Sequence, residues 1–320
     1  MVPSLLWRGF QPFLSTFFST PYLVHTYRAM KKILITGASG FLGWHLCQLA
    51  KQEWEVYSTY FSHPVNIPDT TTIKVNLTDF QELKQIFHDI QPAAVIHTAA
   101  QSQPNFCQSH PHESYAINVV ASCNIAGLCA DNNMSCVFTS TDLVFDGLNP
   151  PYQEIDPVCP VNIYGEHKVM AELGMLERYP MTAVCRMPLM FGMETPTAKS
   201  FMQPFIQTLK EGKDVNLFID EFRTPVSGKT AAKGLLLALE KVNGHLHLGG
   251  KERISRYDFG RLLADIFQLP TTGLKACRQQ DVKMSAPRPS DVSLNSSKAF
   301  TMGYMPLSLR EQLRELEMRS

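Results

Sequence analysis

Three glycines set the strongest constraint on the fold of this chain. Gly37, Gly40 and Gly43 follow the continuous apolar run 33–36 and open an amphipathic segment that begins at Phe41. An apolar run of this kind is typical of a parallel strand buried on both faces. Glycines at the turn from such a strand into a helix let backbone N–H groups approach a pyrophosphate. The spacing G-x-x-G-x-x-G differs from the commoner G-x-G-x-x-G, so a generic glycine-rich turn is the alternative interpretation.

Strands and helices are predicted to alternate along the following 150 residues. The predicted strands are 33–36, 56–60, 72–75, 94–97, 136–139 and 182–186, and the predicted helices are 41–52, 79–89, 112–131 and 161–177. This alternation indicates βαβ units with right-handed crossovers. The expected class is therefore α/β, a Rossmann-type doubly wound parallel sheet with a smaller C-terminal substrate-binding lobe.

Changes in composition suggest the domain boundaries. Residues 1–29 contain no acidic residue and are expected to be an extension, a targeting segment, or a stretch preceding a true start at Met30. Residues 30–186 are predicted to form the dinucleotide-binding domain. Prolines and irregular patterning mark 187–320 as mainly a substrate lobe, and the segment 244–268 is expected to return to the sheet. The sequence assigns no metal ligands, because His245 and His247 on one strand are more often packing residues.

Charge and cysteine usage exclude several classes of partner. Lys+Arg 29 against Asp+Glu 29 gives a formal net charge of +0, so no whole-chain field favours nucleic acid or an anionic membrane. No uncharged apolar stretch long enough to span a bilayer follows Met30. The eight cysteines form no C-x-x-C pair, which favours a reducing compartment and a cytoplasmic location.

Two further patterns carry chemistry. Tyr164 and Lys168 are four residues apart and lie on one face of a predicted helix. A nearby ammonium favours a phenolate, so Lys168 is expected to lower the pKa of Tyr164. The hydroxyl cluster 139–142 follows a buried strand, at the sheet edge where open α/β folds bind ligands. Each pattern also has an ordinary structural interpretation, as a chance spacing or as a turn cap.

Together these motifs resemble the extended short-chain dehydrogenase/reductase superfamily. The segments STDLVFDG at 140–147, YQE at 152–154, and P-x-x-x-YG-x-x-K at 160–168 with Glu172 resemble the dTDP-4-dehydrorhamnose reductase family, and weaker similarities extend to about Phe300. The resemblance implies that Tyr164 donates a proton to a sugar keto oxygen. Lys168 would bind the ribose and lower the pKa of Tyr164, and Thr141 would orient the carbonyl. The nicotinamide would supply the hydride.

The resemblance also implies the binding residues. The cofactor residues, besides Tyr164 and Lys168, are Gly37, Ser39, Gly40, Phe41, Leu42, Gly43, Thr59, His63, Asn76, Leu77, Ala99 and Ala100. The substrate residues are Gln101, Asn118, Asp142, Arg223 and Arg288. The alternative interpretation of Asn118 is an ordinary surface polar residue. The alternative for the two arginines is that each forms an ordinary surface salt bridge. Some reductases of the family use magnesium at a subunit contact, but no acidic cluster here is assigned to it.

The stretch 58–63 after the second predicted strand contains no carboxylate and favours NADP over NAD. His63 is the one residue there that can become cationic. A nucleotide-sugar substrate is expected, and the family resemblance allows for a homodimer. Two other functions stay open. One is a regulatory subunit of the methionine adenosyltransferase beta type, which the segment 145–152 also resembles. The other is a nucleotide-sugar epimerase or dehydratase, although a dehydratase would usually carry an acidic pair where this chain has Asp142 and Leu143.

Overall fold

The computed structural model describes residues 30–318 of the 320-residue chain, so the predicted extension 1–29 lies outside the described residues. The strands are β1 (Lys32–Thr36), β2 (Glu55–Tyr60), β3 (Thr70–Lys74), β4 (Ala94–His97), β5 (Ser135–Thr141), β6 (Ala183–Met187), β7 (Met190–Phe191), β8 (Val215–Phe218), β9 (Phe222–Arg223), β10 (Val226–Ser227), β11 (Gly244–His247), β12 (Ile254–Ser255) and β13 (Leu274–Cys277). The α-helices are α1 (Phe41–Ala50), α2 (Phe80–Ile90), α3 (Pro104–Ser109), α4 (Pro111–Tyr115), α5 (Ala121–Asp131), α6 (Ile163–Arg178), α7 (Met202–Lys210), α8 (Gly228–Lys241), α9 (Arg256–Ile266), α10 (Ser297–Thr301) and α11 (Leu309–Glu317).

Seven strands form one parallel sheet in the order β11-β6-β5-β4-β1-β2-β3. The chain builds outward from β1 to β3, then returns to place β4 on the other side of β1. This reversal is the topological switch point of a doubly wound sheet, and ligands bind in the crevice at the carboxyl ends of the strands there. The predicted α/β class is confirmed.

Both faces of the sheet are covered by helices. Ile33 and Ile35 of β1 pack on one face, in a core that α1 and α8 complete, while Leu34 packs on the other face among residues of α2, α5 and α6. Successive side chains of a strand point to opposite faces, so an uninterrupted apolar run is required where both faces are buried. The apolar segment 33–36 is therefore explained by its place in the middle of the sheet.

The single helix predicted over 112–131 is wrong in one respect, because the segment is interrupted. A π-helical turn, Ala116–Val120, separates α4 from α5. Such turns insert one extra residue into a helix and often occur at functional sites. Here the turn contains Asn118, which is buried and hydrogen-bonded to the loop after β4. The apolar spacing of the sequence gives no signal for this extra residue.

A smaller lobe follows β6. It consists of α7, α9 and α11, the parallel pair β8–β13 and the antiparallel pair β9–β12, around a core of residues such as Phe205, Leu217 and Phe259. β11 joins the edge of the main sheet beside β6. The helix that follows, α9, packs its apolar face into the smaller lobe, so within 244–268 the strand alone joins the sheet. Within 30–318, no helix has the length and apolar character needed to cross a membrane.

Candidate active site

A cavity of about 1210 Å³ lies at the carboxyl ends of the central strands and is bounded on its other side by the smaller lobe. It brings together most of the residues that the sequence singled out. These are Gly37, Ser39, Gly40, Phe41, Leu42, Gly43, Thr59, Asn76, Leu77, Ala99, Ala100, Gln101, Thr141, Asp142, Tyr164, Lys168, Arg223 and Arg288. His63 and Asn118 do not line it.

The glycine turn forms one end of the cavity. Gly37 has a φ of 76°, and a Cβ atom added there would lie 2.7 Å from the Cα of Ala99. A Cβ added at Gly43 would overlap the carbonyl oxygen of Gly37. The helix α1 then begins after Gly40, which has no side chain to cap it, so the amides of the first turn remain available to an anion. This backbone cradle fits the pyrophosphate of a dinucleotide.

The residues after β2 line the neighbouring part of the cavity. Thr59 accepts a hydrogen bond from the backbone N–H of Gly37 at 3.3 Å, and Phe61 and Ser62 follow it along the wall. The side chain of His63 was expected to meet the cofactor, but it is exposed and lies against Ser62, with Nδ1 and Oγ 2.9 Å apart. The hydroxyl and aromatic residues here fit a ribose and adenine, and His63 is not one of the cavity residues.

Tyr164 and Lys168 project from α6, as predicted from their spacing. Asn162 begins this helix by accepting a hydrogen bond from the N–H of Gly165 at 2.9 Å. The ammonium of Lys168 is buried, donates to the carbonyl of Thr139 at 2.7 Å and lies 4.4 Å from the centroid of the Phe138 ring. Burial lowers the pKa of Lys168 to about 7.

The electrostatics of Tyr164 differ from the expectation. Burial is the main cause that raises the pKa of the phenol, the nearby Cys107 and Asp142 raise it further, and a hydrogen bond with Thr141 opposes them. Lys168 is not among the groups that set the direction of this shift, and its ammonium donates to the Thr139 carbonyl. Tyr164 therefore stays protonated at neutral pH, which is the form that can donate a proton.

A buried chain of contacts connects the hydroxyl of Thr141 to the smaller lobe. Thr141 donates to Oδ1 of Asp142 at 3.2 Å, and the same oxygen lies 2.8 Å from Nη1 of Arg223. Arg223 also contacts Glu221 through Nη2 at 3.3 Å. Burial raises the pKa of Asp142, and the charge of Arg223 opposes this. The structure thus places both predicted substrate residues in the cavity wall but commits Arg223 to two carboxylates of its own chain.

Asn118 supports the cavity from behind. Its amide accepts from the N–H of Gln101 and donates to the carbonyl of Gln101, each at 3.0 Å, and it is fully buried. The predicted substrate contact is therefore corrected: Asn118 fixes the loop after β4, and Ala99, Ala100 and Gln101 of that loop line the cavity.

Sequence reasoning missed a charged and aromatic group at one end of the cavity. Phe201, Glu221 and Arg256 line the end formed by the smaller lobe, where the predicted Arg288 also lies. The pairing of β9 with β12 brings Ile254 opposite Arg223 and so places Arg256 beside this group. The quoted motif Ser255-x-Tyr257-x-Phe259 encloses Arg256, but pairing between two-residue strands leaves no readable sequence pattern.

Comparison with known proteins identifies the family of this chain and several relatives. A family model described as the RmlD substrate binding domain matches residues 30–319. Methionine adenosyltransferase 2 subunit beta of Rattus norvegicus is 31% identical over 281 residues, covering 85% of this chain and 83% of that protein. A probable low-salt glycan biosynthesis reductase of Haloferax volcanii is 28% identical over 289 residues, covering 88% of this chain and 96% of that protein.

Solved structures share the fold. A hypothetical dTDP-4-dehydrorhamnose reductase from Sulfolobus tokodaii has a TM-score of 0.77 at 33% identity, covering 84% of this chain and 94% of that one. A dTDP-4-dehydrorhamnose reductase from Bacillus anthracis, solved with NADP, has a TM-score of 0.81 at 20% identity, covering 91% and 100%. The Bordetella bronchiseptica enzyme WbmH, solved with NAD+, has a TM-score of 0.77 at 21% identity, covering 91% and 99%. Neighbours of this fold therefore bind either NADP or NAD.

Proposed function

The chain belongs to the RmlD substrate-binding domain family, and on that premise we propose that it reduces the 4-keto group of a nucleotide-activated deoxysugar with NADPH. The observation that carries the proposal is that Thr141, a protonated Tyr164 and the glycine turn line one cavity. A carbonyl reductase needs a proton donor and a dinucleotide site within reach of one carbonyl group.

Each residue has a role in that reaction. Tyr164 transfers its phenolic proton to the keto oxygen as the carbonyl carbon accepts a hydride. The hydroxyl of Thr141, which donates to Asp142 in the chain alone, turns to the same keto oxygen when the substrate is bound and orients it. Lys168, held by the Thr139 carbonyl, would bind the ribose hydroxyls of the cofactor. The dihydronicotinamide supplies the hydride when the cofactor is bound.

The preference for NADPH rests on the residues after β2. Thr59, Tyr60, Phe61 and Ser62 line the cavity, and none carries the carboxylate that would repel a 2′-phosphate. Hydroxyl groups at this place accommodate the phosphate by hydrogen bonding. A homodimer and a reducing, cytoplasmic location are also part of the proposal.

The test is oxidation of NADPH and of NADH, followed optically, with dTDP-4-dehydro-6-deoxy-L-mannose as acceptor. We expect turnover with NADPH and a loss of about 100- to 10,000-fold in Tyr164→Phe, because the phenol supplies the proton in the transition state. NADPH binding should be unchanged in the variant. Absence of turnover despite tight NADPH binding would contradict reduction of this sugar, and full activity of Tyr164→Phe would contradict the role of the phenol.

A second candidate is a subunit of a methionine adenosyltransferase. It is favoured by the 31% identity to subunit beta over 85% of this chain. In that case the cofactor would be structural, and Tyr164→Phe would keep its effect on a purified methionine adenosyltransferase catalytic partner. The same variant therefore separates the two functions, because a reductase loses turnover when the phenol is removed.

An epimerase or dehydratase is less well supported. Asp142 is followed by the apolar Leu143, so the acidic pair usual after the threonine of a dehydratase is missing. The carboxylate that is present is buried and bound by Arg223 at 2.8 Å, which leaves it poorly placed to exchange protons with a substrate.

A further inference from the structure

The end of the cavity formed by the smaller lobe contains a group of charged side chains that are incompletely paired. Three guanidinium groups, those of Arg223, Arg256 and Arg288, face two carboxylates, those of Asp142 and Glu221. The group therefore contains one more guanidinium than carboxylates. A buried cationic N–H group that lacks a partner is costly, so the buried and unpartnered Nη1 of Arg256, within 30–318, indicates an anionic ligand.

The three arginines differ in how far their charges are satisfied. Arg223 is bound by Asp142 at 2.8 Å and by Glu221 at 3.3 Å. Arg288 donates to the carbonyl of Ala286 at 3.1 Å and to the side chain of Asn105 at 3.2 Å, both uncharged partners. In the range 30–318, by contrast, no group accepts a hydrogen bond from the buried Nη1 of Arg256.

Arg256 is nevertheless held in place. Its guanidinium lies 4.2 Å from the centroid of the Phe201 ring, and its backbone N–H donates to the carbonyl of Glu221 at 3.0 Å. Burial lowers the pKa of Arg256, and the charge of Glu221 opposes this. Arg186, in the sheet, shows the ordinary state of a buried arginine, since Glu172 accepts from its Nε and Nη2 at 3.1 and 2.9 Å. Arg256 has a fixed position but no such partner.

We propose that Arg256 binds the diphosphate of the substrate, with Arg288 beside it, while Arg223 is a positioning residue that holds Asp142 and Thr141. The inference rests on the proposed function, because it assumes that the substrate is a nucleotide-activated sugar. A planar guanidinium stacked on an aromatic ring presents its remaining N–H groups in the geometry that phosphate oxygens accept. The ligand class is therefore a nucleoside diphosphate, recognised by its phosphates.

The test measures dTDP binding calorimetrically to the full chain loaded with NADPH. In Arg256→Met, which keeps an apolar unbranched side chain and removes the guanidinium, we expect the Kd for dTDP to rise about 10- to 100-fold. Arg256→Lys should lie between this variant and the wild type, because it keeps the charge and loses the planar group. Thymidine, which has no phosphate, should bind all three proteins equally.

Arg261→Met is the matched control, because Arg261 lies on the same helix but is exposed and does not line the cavity. It should bind dTDP as the wild type does. NADPH affinity and the melting temperature show whether Arg256→Met is folded. Equal dTDP affinity in Arg256→Met and the wild type would overturn the proposal, as would a wild type that binds no dTDP or an equal weakening of thymidine.

The two proposals fail in different ways. If dTDP binds in a manner that depends on Arg256 but no keto sugar is reduced, the reductase function is wrong and the diphosphate site stands. If keto sugars are reduced and Arg256→Met leaves KM unchanged, the reductase function stands and the role of Arg256 is wrong. The expected result is a raised KM with kcat nearly unchanged, since the diphosphate is bound equally in the ground and transition states.

Discussion

The two ends of the cavity are built by different means. At the glycine turn the wall is backbone, and Gly37 and Gly43 leave space where any side chain would collide with the chain itself. At the end formed by the smaller lobe the wall is made of charged side chains, which reach the cavity from β9 and the residue before it, from α9 and from the segment after β13. The first end offers a ligand a close-fitting backbone and amide groups, and the second end offers charge.

This difference determines how each end responds to substitution. A backbone cradle depends on close approach, so one added methyl group is enough to disturb it. A buried charge cluster depends on pairing, so the removal of one charge exposes the desolvation cost of its partner. Substitutions at the second end should therefore have the larger effects on stability, although the first end is more sensitive to small changes in volume.

The largest effect is expected for Arg223→Met. The substitution leaves the carboxylate of Asp142 buried without its ion pair, and the free energy of unfolding should fall by about 3–5 kcal/mol. Denaturant unfolding of the purified chain measures this. Arg310→Met is the control, because the pair of Arg310 and Asp265, at 2.9 Å, is exposed and should contribute no more than about 1 kcal/mol. Similar losses in the two variants would show that the buried pair of Asp142 and Arg223 stabilises the fold no more than an exposed pair does.

A smaller effect is expected for Gly43→Ala. The added Cβ would overlap the carbonyl oxygen of Gly37 and lie 2.9 Å from Oγ1 of Thr98, so the turn must shift. We expect a loss of about 1–3 kcal/mol of stability and weaker NADPH binding. Gly127→Ala in α5 is the control: no atom lies within 4 Å of its added Cβ, and a helical alanine should instead stabilise by about 0.5–1 kcal/mol. If both variants are stabilised, the close approach of Gly43 to the Gly37 carbonyl does not exclude a side chain at this position.

The sequence predicts one end of the cavity much better than the other. The glycine turn, and the pair Tyr164 and Lys168 on one helix face, follow from local spacing, since the residues involved are within a few positions of each other. The position of Arg256 does not follow from local spacing, because it depends on pairing between β9 and β12, which are each two residues long and far apart in the sequence. The prediction for Asn118 fails for another reason. The π-helical turn around it leaves the apolar pattern of the sequence unchanged, and its amide contacts Gln101.

Charge balance and burial can also be predicted only once the folded chain is known. The sequence places an ammonium four residues after a phenol, and the expected result is a lowered pKa for Tyr164. In the structure the Lys168 ammonium donates to the Thr139 carbonyl, and burial is the largest cause of the raised pKa of the Tyr164 phenol. In the same way, the sequence allows Arg223 to bind substrate or to form a surface salt bridge, and in the structure it is buried and paired with Asp142 and Glu221. Motifs identify candidate reacting groups, but the ionisation of these groups depends on neighbours from distant segments.

The smallest effect is expected for His63→Ala. This variant tests how the end of the cavity at the glycine turn selects between NADPH and NADH. His63 is exposed, contacts Ser62 and does not line the cavity, so its loss should change the Kd for NADPH less than about twofold. Ser62→Asp is the contrasting variant, because Ser62 lines the cavity and a carboxylate there should repel a 2′-phosphate. It should weaken NADPH binding about tenfold and leave NADH binding nearly unchanged. Fluorescence titration of the four variant and cofactor combinations measures this. A large loss in His63→Ala would mean that the histidine moves onto the phosphate when the cofactor binds, and equal weakening of both cofactors by Ser62→Asp would contradict a phosphate-binding role for this wall.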